Sequence, residues 1–194
     1  MRKLTYFIGT TIDGFIAAPD GDFAFFFPHV TEDYLPHLTG EYPETLPTPG
    51  RAALGIADAP NARFDTVVMG RSTYDQGLPD GLTSPYAHLR QIVLSRSLGA
   101  DPDPAVEVTA EDPVALVRRL KRQEGLGIWL CGGADLAGQL LPEIDELIVK
   151  QYPVVADSGI PLFRAGFSPR VFTLTGSRVF EGGNLVLTYA KASD

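Results

Sequence analysis

The chain has 194 residues, 44% of them hydrophobic and 21% charged, the make-up of a folded globular chain with a real core. Its 16 basic and 24 acidic residues give a net charge of −8, so the surface repels nucleic acid and anionic lipid; an anionic small molecule can bind only where basic groups and backbone N–H donors converge. Cys131 is the single cysteine, which excludes an intrachain disulfide and a cysteine zinc cluster, leaves no metal site to expect, and suits a reducing cytoplasm.

The segment KLTYFIGT reads as a first strand; its apolar stretch is too short for a signal peptide, and no later run approaches a membrane span. TIDGFIAAPDGD, with two Asp-Gly pairs, predicts tight turns. VTEDYLPHL predicts a short helix capped by Thr31, with Glu32 and Asp33 in its first turn. Residues 40–62 read as a loop with one helical turn at GRAALGI. DTVVMG then predicts a strand, RSTYDQG a short helix, and QIVLS and AVEVT two more strands. DPVALVRRLKRQ predicts a helix capped by Asp112 with Pro113 at its first position. GIWLCGG is a strand, ADLAGQLL a helix and IDELIVKQYPVV a long strand. RVFTLTGSRVFEGGNLVLTYA closes the chain as a hairpin turning at Gly182-Gly183-Asn184. Strands alternate with helices to about residue 150 and two strands then pair, which predicts an α/β fold over residues 1–194: one domain, a mostly parallel sheet, an antiparallel edge.

Three junctions carry chemistry. Open α/β sheets bind ligands beyond the carboxyl ends of their strands, where helix N-termini offer free N–H groups. VVMGRSTY places Gly70, Arg71, Ser72 and Thr73 after a strand, VLSRS places Ser95 and Arg96, and WLCGGADLAGQLL places Gly132 and Gly133 between strand and helix. Taken singly, a glycine pair is a packing turn and a junction arginine a surface charge. In series they point to a phosphate-bearing ligand.

Five segments, TIDGFIA, VVMGRSTY, VLSRS, WLCGGADLAGQLL and IDELIVKQYPVVADSGIPLF, make the chain resemble the dihydrofolate reductase superfamily, in the branch of the RibD C-terminal (riboflavin-biosynthesis reductase) domain. The resemblance runs from residue 3 to about 190. It implies a three-layer fold with helices on both sheet faces, a homodimer, and an NADPH site. On that likeness Arg71, Ser72 and Thr73 hold the pyrophosphate and reach toward the 2′-phosphate, whose pocket Ser95 and Arg96 complete. Cys131, Gly132, Gly133, Ala134, Asp135 and Leu136 lie along the second phosphate-side turn, and Gly9 and Thr10 flank the nicotinamide through backbone groups.

The acid candidates are Asp13, in the turn beside the expected nicotinamide, and Glu32 and Asp33, on the first helix; for each, a turn-forming or solvated carboxylate is the competing explanation. Phe23, Phe25, Phe26 and Phe27 make either an aromatic wall for a flat substrate or part of the core. His29, His37 and His88 have no ligand spacing. Cys131 has no paired base and reads as a small buried hydrophobe. The riboflavin-pathway reductases carry a lysine after the Asp-Gly and a glutamate before the Gly-Gly, where this chain has Phe15 and Cys131. The expected activity is hydride transfer from NADPH to a small heterocyclic, carbonyl or imine substrate. The alternatives are the 5-amino-6-(5-phosphoribosylamino)uracil reductase step and a module that binds NADPH without turnover.

Overall fold

The computed structural model describes residues 1–98 and 103–192. Its strands are β1 (Leu4–Thr10), β2 (Phe15–Ala17), β3 (Phe64–Gly70), β4 (Arg90–Leu94), β5 (Val106–Thr109), β6 (Gly127–Gly132), β7 (Glu146–Gln151), β8 (Ile160–Pro161), β9 (Phe172–Val179) and β10 (Leu185–Lys191). The helices are α1 (Tyr34–Glu41), α2 (Thr48–Ala53), α3 (Arg71–Asp75), α4 (Pro113–Lys121) and α5 (Ala134–Leu140). Eight strands form one sheet in the order β5-β4-β3-β6-β1-β7-β10-β9. The first six run parallel, and β10 and β9 close the edge antiparallel. A small antiparallel pair, β2 with β8, stands apart from it.

The parallel strands are apolar on both faces because both faces are covered. On one, Leu4, Tyr6, Val68, Ile92, Ile128 and Leu130 pack against Leu116, Val117 and Leu120 of α4 and Leu136, Ala137 and Leu140 of α5. On the other, Phe7, Val67, Met69, Val93 and Trp129 meet Tyr34 and Leu38 of α1, with Phe26, Tyr42, Tyr74, Tyr152 and Phe180. The helix α4 follows its sequence signals: Asp112 accepts from the Ala115 N–H at 2.9 Å, Pro113 opens it, and Arg118, Arg119 and Lys121 face the negative end of its dipole.

Two expectations shift. The first helix starts at Tyr34, with Asp33 rather than Thr31 at its cap position, because the Thr31 hydroxyl donates to the Asp33 carboxylate at 2.6 Å instead of capping. The phenylalanine run forms a 3-10 turn, Ala24–His29, which buries Phe26 and leaves Phe23 and Phe27 in solvent.

The loop between α1 and β3 holds an anchor that no local pattern announces. Glu44 is fully buried, and its carboxylate accepts from the backbone N–H groups of Arg63 (2.6 Å), Phe64 (2.8 Å) and Ala62 (3.3 Å), fixing where β3 enters the sheet. Buried donors stripped of their acceptor keep the full desolvation penalty. Glu44→Ala should therefore destabilise the fold by about 3 kcal/mol in urea unfolding, and Glu44→Gln, which keeps one acceptor oxygen, by less.

Candidate active site at the carboxyl edge of the sheet

The three junctions share one edge because β4, β3 and β6 are parallel neighbours. Gly70 pairs with Leu94, so Ser95 begins one residue beyond it. On the other side Met69 pairs with Gly132 across an irregularity that leaves Cys131 as the extra residue of β6. The contact between the β3 and β6 turns is close. A Cβ on Gly70 would stand 3.6 Å from the Gly132 oxygen and the Gly133 nitrogen, and one on either glycine would lie 3.5 Å from Thr73 Oγ1. Gly132 has φ +140°, where a side chain is strained, and the Gly132–Gly133 peptide is cis. No side chain caps α3 or α5, so their first-turn N–H groups remain for solvent or a ligand.

Beside this cradle the sheet opens. β1 pairs with β6 only from Leu4 to Tyr6, yet follows β7 as far as Thr10 with Gln151. Lys3 gives its carbonyl to Ile128 on the β6 side and Thr10 gives its carbonyl to Tyr152 on the β7 side. By that alternation Gly9 directs its N–H and C=O toward β6, into the gap where the ladder has ended. A Cβ on Gly9 would lie 3.2 Å from the Tyr152 ring, so the glycine also keeps that wall close.

The expected site residues divide into groups. Gly9, Gly70, Ser72, Thr73, Gly132 and Gly133 line the edge. Arg71 is half-exposed and paired with Asp75 at 2.6 Å. Arg96 is exposed and has no ion-pair partner among the described residues. The Ser95 hydroxyl accepts from the Ser97 and Leu98 N–H groups and so shapes its own turn. Ala134 and Leu136 are buried, which leaves only their backbone to a ligand. Asp135 turns to Arg164 at 3.0 Å. Thr10 is buried, its hydroxyl bonded to the carbonyls of Thr11 and Phe15 and its own carbonyl to Tyr152, so of the pair flanking the gap only Gly9 has free peptide groups. Cys131 packs on the aromatic face, away from the glycine cradle.

Two of the carboxylates expected to serve as acids are latches. Asp13 takes the Thr11 hydroxyl at 2.6 Å and the backbone N–H groups of Ala156 and Asp157, tying the β1–β2 turn to the loop after β7. Asp33 takes the Thr31 hydroxyl and the Glu181 N–H, tying α1 to the terminal hairpin. Those hydrogen bonds, the threonine hydroxyl first in each case, hold both carboxyls below the usual range. Each carboxylate thus acts as a hydrogen-bond acceptor between two segments of the chain.

Lys150, which sequence patterning did not single out, lies on the aromatic face of the same edge. Its Nζ stands 4.3 Å from the Phe7 ring centre, and burial pushes the ammonium down to about 8, with Cys131 as the neighbouring titratable group. Burial likewise pushes the Cys131 thiol up to about 11. An open cleft of 360 Å³ lies at the opposite end of the sheet, between the N-terminus, Arg63 and the Gly125–Gly127 loop, and shares no residue with this site. Among the described residues no His, Cys, Asp and Glu cluster could hold a metal ion, and no helix is long and apolar enough to cross a membrane.

The RibD C-terminal domain family matches residues 2–186 of the chain. The chain belongs to this family. Bacillus subtilis (strain 168) has two relatives among its proteins, both uncharacterized: YwjB, 32% identical over 98% of this chain and 99% of its own length, and YyaP, 27% identical over 70% and 78%. A putative riboflavin biosynthesis protein from Shewanella sp. PV-4 superimposes with a TM-score of 0.69 at 25% identity over the whole of both chains. The Thermotoga maritima diaminohydroxyphosphoribosylaminopyrimidine deaminase/5-amino-6-(5-phosphoribosylamino)uracil reductase shares the fold, with a TM-score of 0.62 at 15% identity. The match covers 98% of this chain and 57% of that one. In this RibD C-terminal domain the mostly parallel sheet with its antiparallel hairpin is therefore the fold of the family.

The two latches have a pH signature. A carboxyl whose folded pKa is depressed stabilises the fold fully above its unfolded value and loses that contribution as pH falls through the folded one. Asp13→Asn and Asp33→Asn should each lower Tm at neutral pH and flatten its acid decline below about pH 4. Thermal unfolding across acid pH checks both.

Proposed function

We propose that the chain is an NADPH-dependent reductase of a small heterocyclic, carbonyl or imine substrate. The observation that carries this reading is the junction of the glycine cradle with the gap between β1 and β6. One edge thus offers a place for an anionic tail and, next to it, unpaired peptide groups of Gly9 for an amide-bearing ring. The residues fit such a dinucleotide. The cradle is walled by the backbone of Gly70, Gly132 and Gly133 with Thr73 Oγ1 beside it, the first turns of α3 and α5 offer N–H donors, and Arg71 and Arg96 follow the ends of β3 and β4.

Reduced nicotinamide supplies hydride; the chain positions its acceptor. Arg71 leaves Asp75 for phosphate at little cost, because an exposed ion pair contributes under about 1 kcal/mol. Arg96, free of partners among the described residues, takes the 2′-phosphate with Thr73 nearer the pyrophosphate. Gly9 holds the carboxamide by backbone hydrogen bonds. Trp129, in edge contact with Phe7 and with Tyr86, keeps water from the aromatic side of the gap. The 5-amino-6-(5-phosphoribosylamino)uracil reductase step fits less well, since Phe15 and the half-buried Cys131 offer neither the cation nor the carboxylate that its substrate calls for.

Arg71→Ala should weaken NADPH binding by about 1.5–3 kcal/mol, roughly ten- to hundredfold in Kd. Arg96→Ala should instead erode the preference for NADPH over NADH. Fluorescence titration with both cofactors checks each, and a screen of carbonyl and imine heterocycles for NADPH oxidation separates a reductase from a module that only binds.

The homodimer is a proposal of the same standing. Every residue of β9 after Phe172 is exposed, and the strand offers an unpaired edge flanked by exposed Val171, Leu174 and Val179. A second copy pairing there buries all three. Leu174→Lys should then shift the chain from dimer to monomer in light scattering.

A further inference from the structure

Lys150 is out of place where it stands. Its strand runs Leu147-Ile148-Val149 into Lys150, and the register sets it between Gly9 of β1 and Val186 of β10 in a row across the sheet. Val186 and Ile148 belong to the aromatic core on that face. Among the described residues no carboxylate pairs with its ammonium, and no carbonyl or hydroxyl accepts from it. Its neighbours are the Phe7 ring and the Cys131 thiol. Lys150 is part-buried, and cation–π contact offsets only part of the cost of drawing an ammonium from water. A group that burdens the folded state without a partner is placed for one that arrives later.

We propose that Lys150 is the substrate-binding cation of this site and that its partner is a planar ring carrying an ionised or carbonyl oxygen. This rests on the reductase reading, since it places the substrate on the aromatic side of the gap beside Gly9. Adjacent strands lie about 4.8 Å apart, so Lys150 stands one strand away from Gly9 on the face where the Tyr152 and Phe26 rings close over that glycine. Phe7, with Trp129 behind it and Tyr86 beyond, backs the amine with apolar rings, and Nζ is the positive charge set on the Phe7 ring, while Arg63 lies over Tyr42 and Arg178 over Phe180. An oxyanion there gains a charge-assisted hydrogen bond in surroundings of low dielectric, and its binding lifts the amine back toward its ordinary pKa.

The groups packed around this amine leave the titration to Lys150. Cys131 on β6 is held up at about 11, and burial raises Tyr86, Tyr42, Tyr34 and Tyr152 above their ordinary value. All five are uncharged at neutral pH. Beyond Tyr42 stand Arg63 and Glu146, and burial lowers His37.

The probe is 2-naphthoate, a planar carboxylate, with 2-naphthamide as its neutral counterpart. Both are titrated into the full chain with NADPH present, near pH 6.5 and near pH 9.5. The wild type should bind naphthoate about tenfold more tightly at the lower pH, and naphthamide equally at both. Lys150→Met should lose about tenfold for naphthoate and its pH dependence, while Lys150→Arg keeps the affinity and loses the pH dependence. Lys150→Met should also raise Tm at neutral pH, because it removes an unpaired ammonium; that gain shows the variant is folded. Equal naphthoate affinity in wild type and Lys150→Met, or no saturable naphthoate binding by the wild type, overturns the assignment. NADPH affinity is measured separately in each variant: loss of NADPH binding by the wild type counts against the reductase reading, whereas retained NADPH binding with indifferent naphthoate counts against Lys150 alone.

Discussion

The ladder between β1 and β6 stops after Tyr6 and Leu130, and the arrangement of the site follows from that stop. A parallel sheet buried on both faces has every reason to continue pairing, since each unpaired peptide group in its interior forfeits a hydrogen bond. Here β6 carries an extra residue against β3 at Cys131 and then turns through Gly132 at φ +140° toward α5. The divergence exposes the peptide groups of Gly9 in mid-sheet, and it draws the β6 turn against Gly70 and Thr73. One local irregularity thus makes both the glycine cradle and the gap beside it.

Charge is distributed to match. The chain is acidic overall, yet two carboxylates near the edge are engaged by other groups: Asp13 by the Ala156–Asp157 turn and Asp135 by Arg164. Asp75 stays at the edge on Arg71, beside the helix-start N–H groups of α3. The aromatic wall behind the gap carries Lys150, which has no counter-ion among the described residues. In a face otherwise built of Phe, Tyr, Trp and Val, it is the one group whose presence packing does not explain.

Much of the fold was legible because its signals are local. Asp112 and Pro113 mark the start of α4, Gly182-Gly183-Asn184 marks the hairpin turn, and the alternation of strand and helix to residue 150 gives the parallel sheet. The edge glycines were legible for the same reason: each sits next to its own strand. What escaped is set by partners distant in sequence. Glu44 is recognisable only once Arg63 and Phe64 are beside it, and the acceptor roles of Asp13 and Asp33 depend on Asp157 and Glu181, more than a hundred residues away. Lys150 left one faint trace, a lysine inside an otherwise apolar strand, but its isolation from carboxylates is a fact of the tertiary structure.

The most direct test of the central claim is amide hydrogen exchange with and without NADPH, read by mass spectrometry. If the three turns and the gap hold the cofactor together, exchange slows jointly in peptides covering residues 7–13, 67–77 and 129–138, while peptides at the opposite edge, around residues 1–4 and 124–127, stay unchanged. Protection confined to that opposite edge, or to a single turn with the others unaffected, contradicts the account.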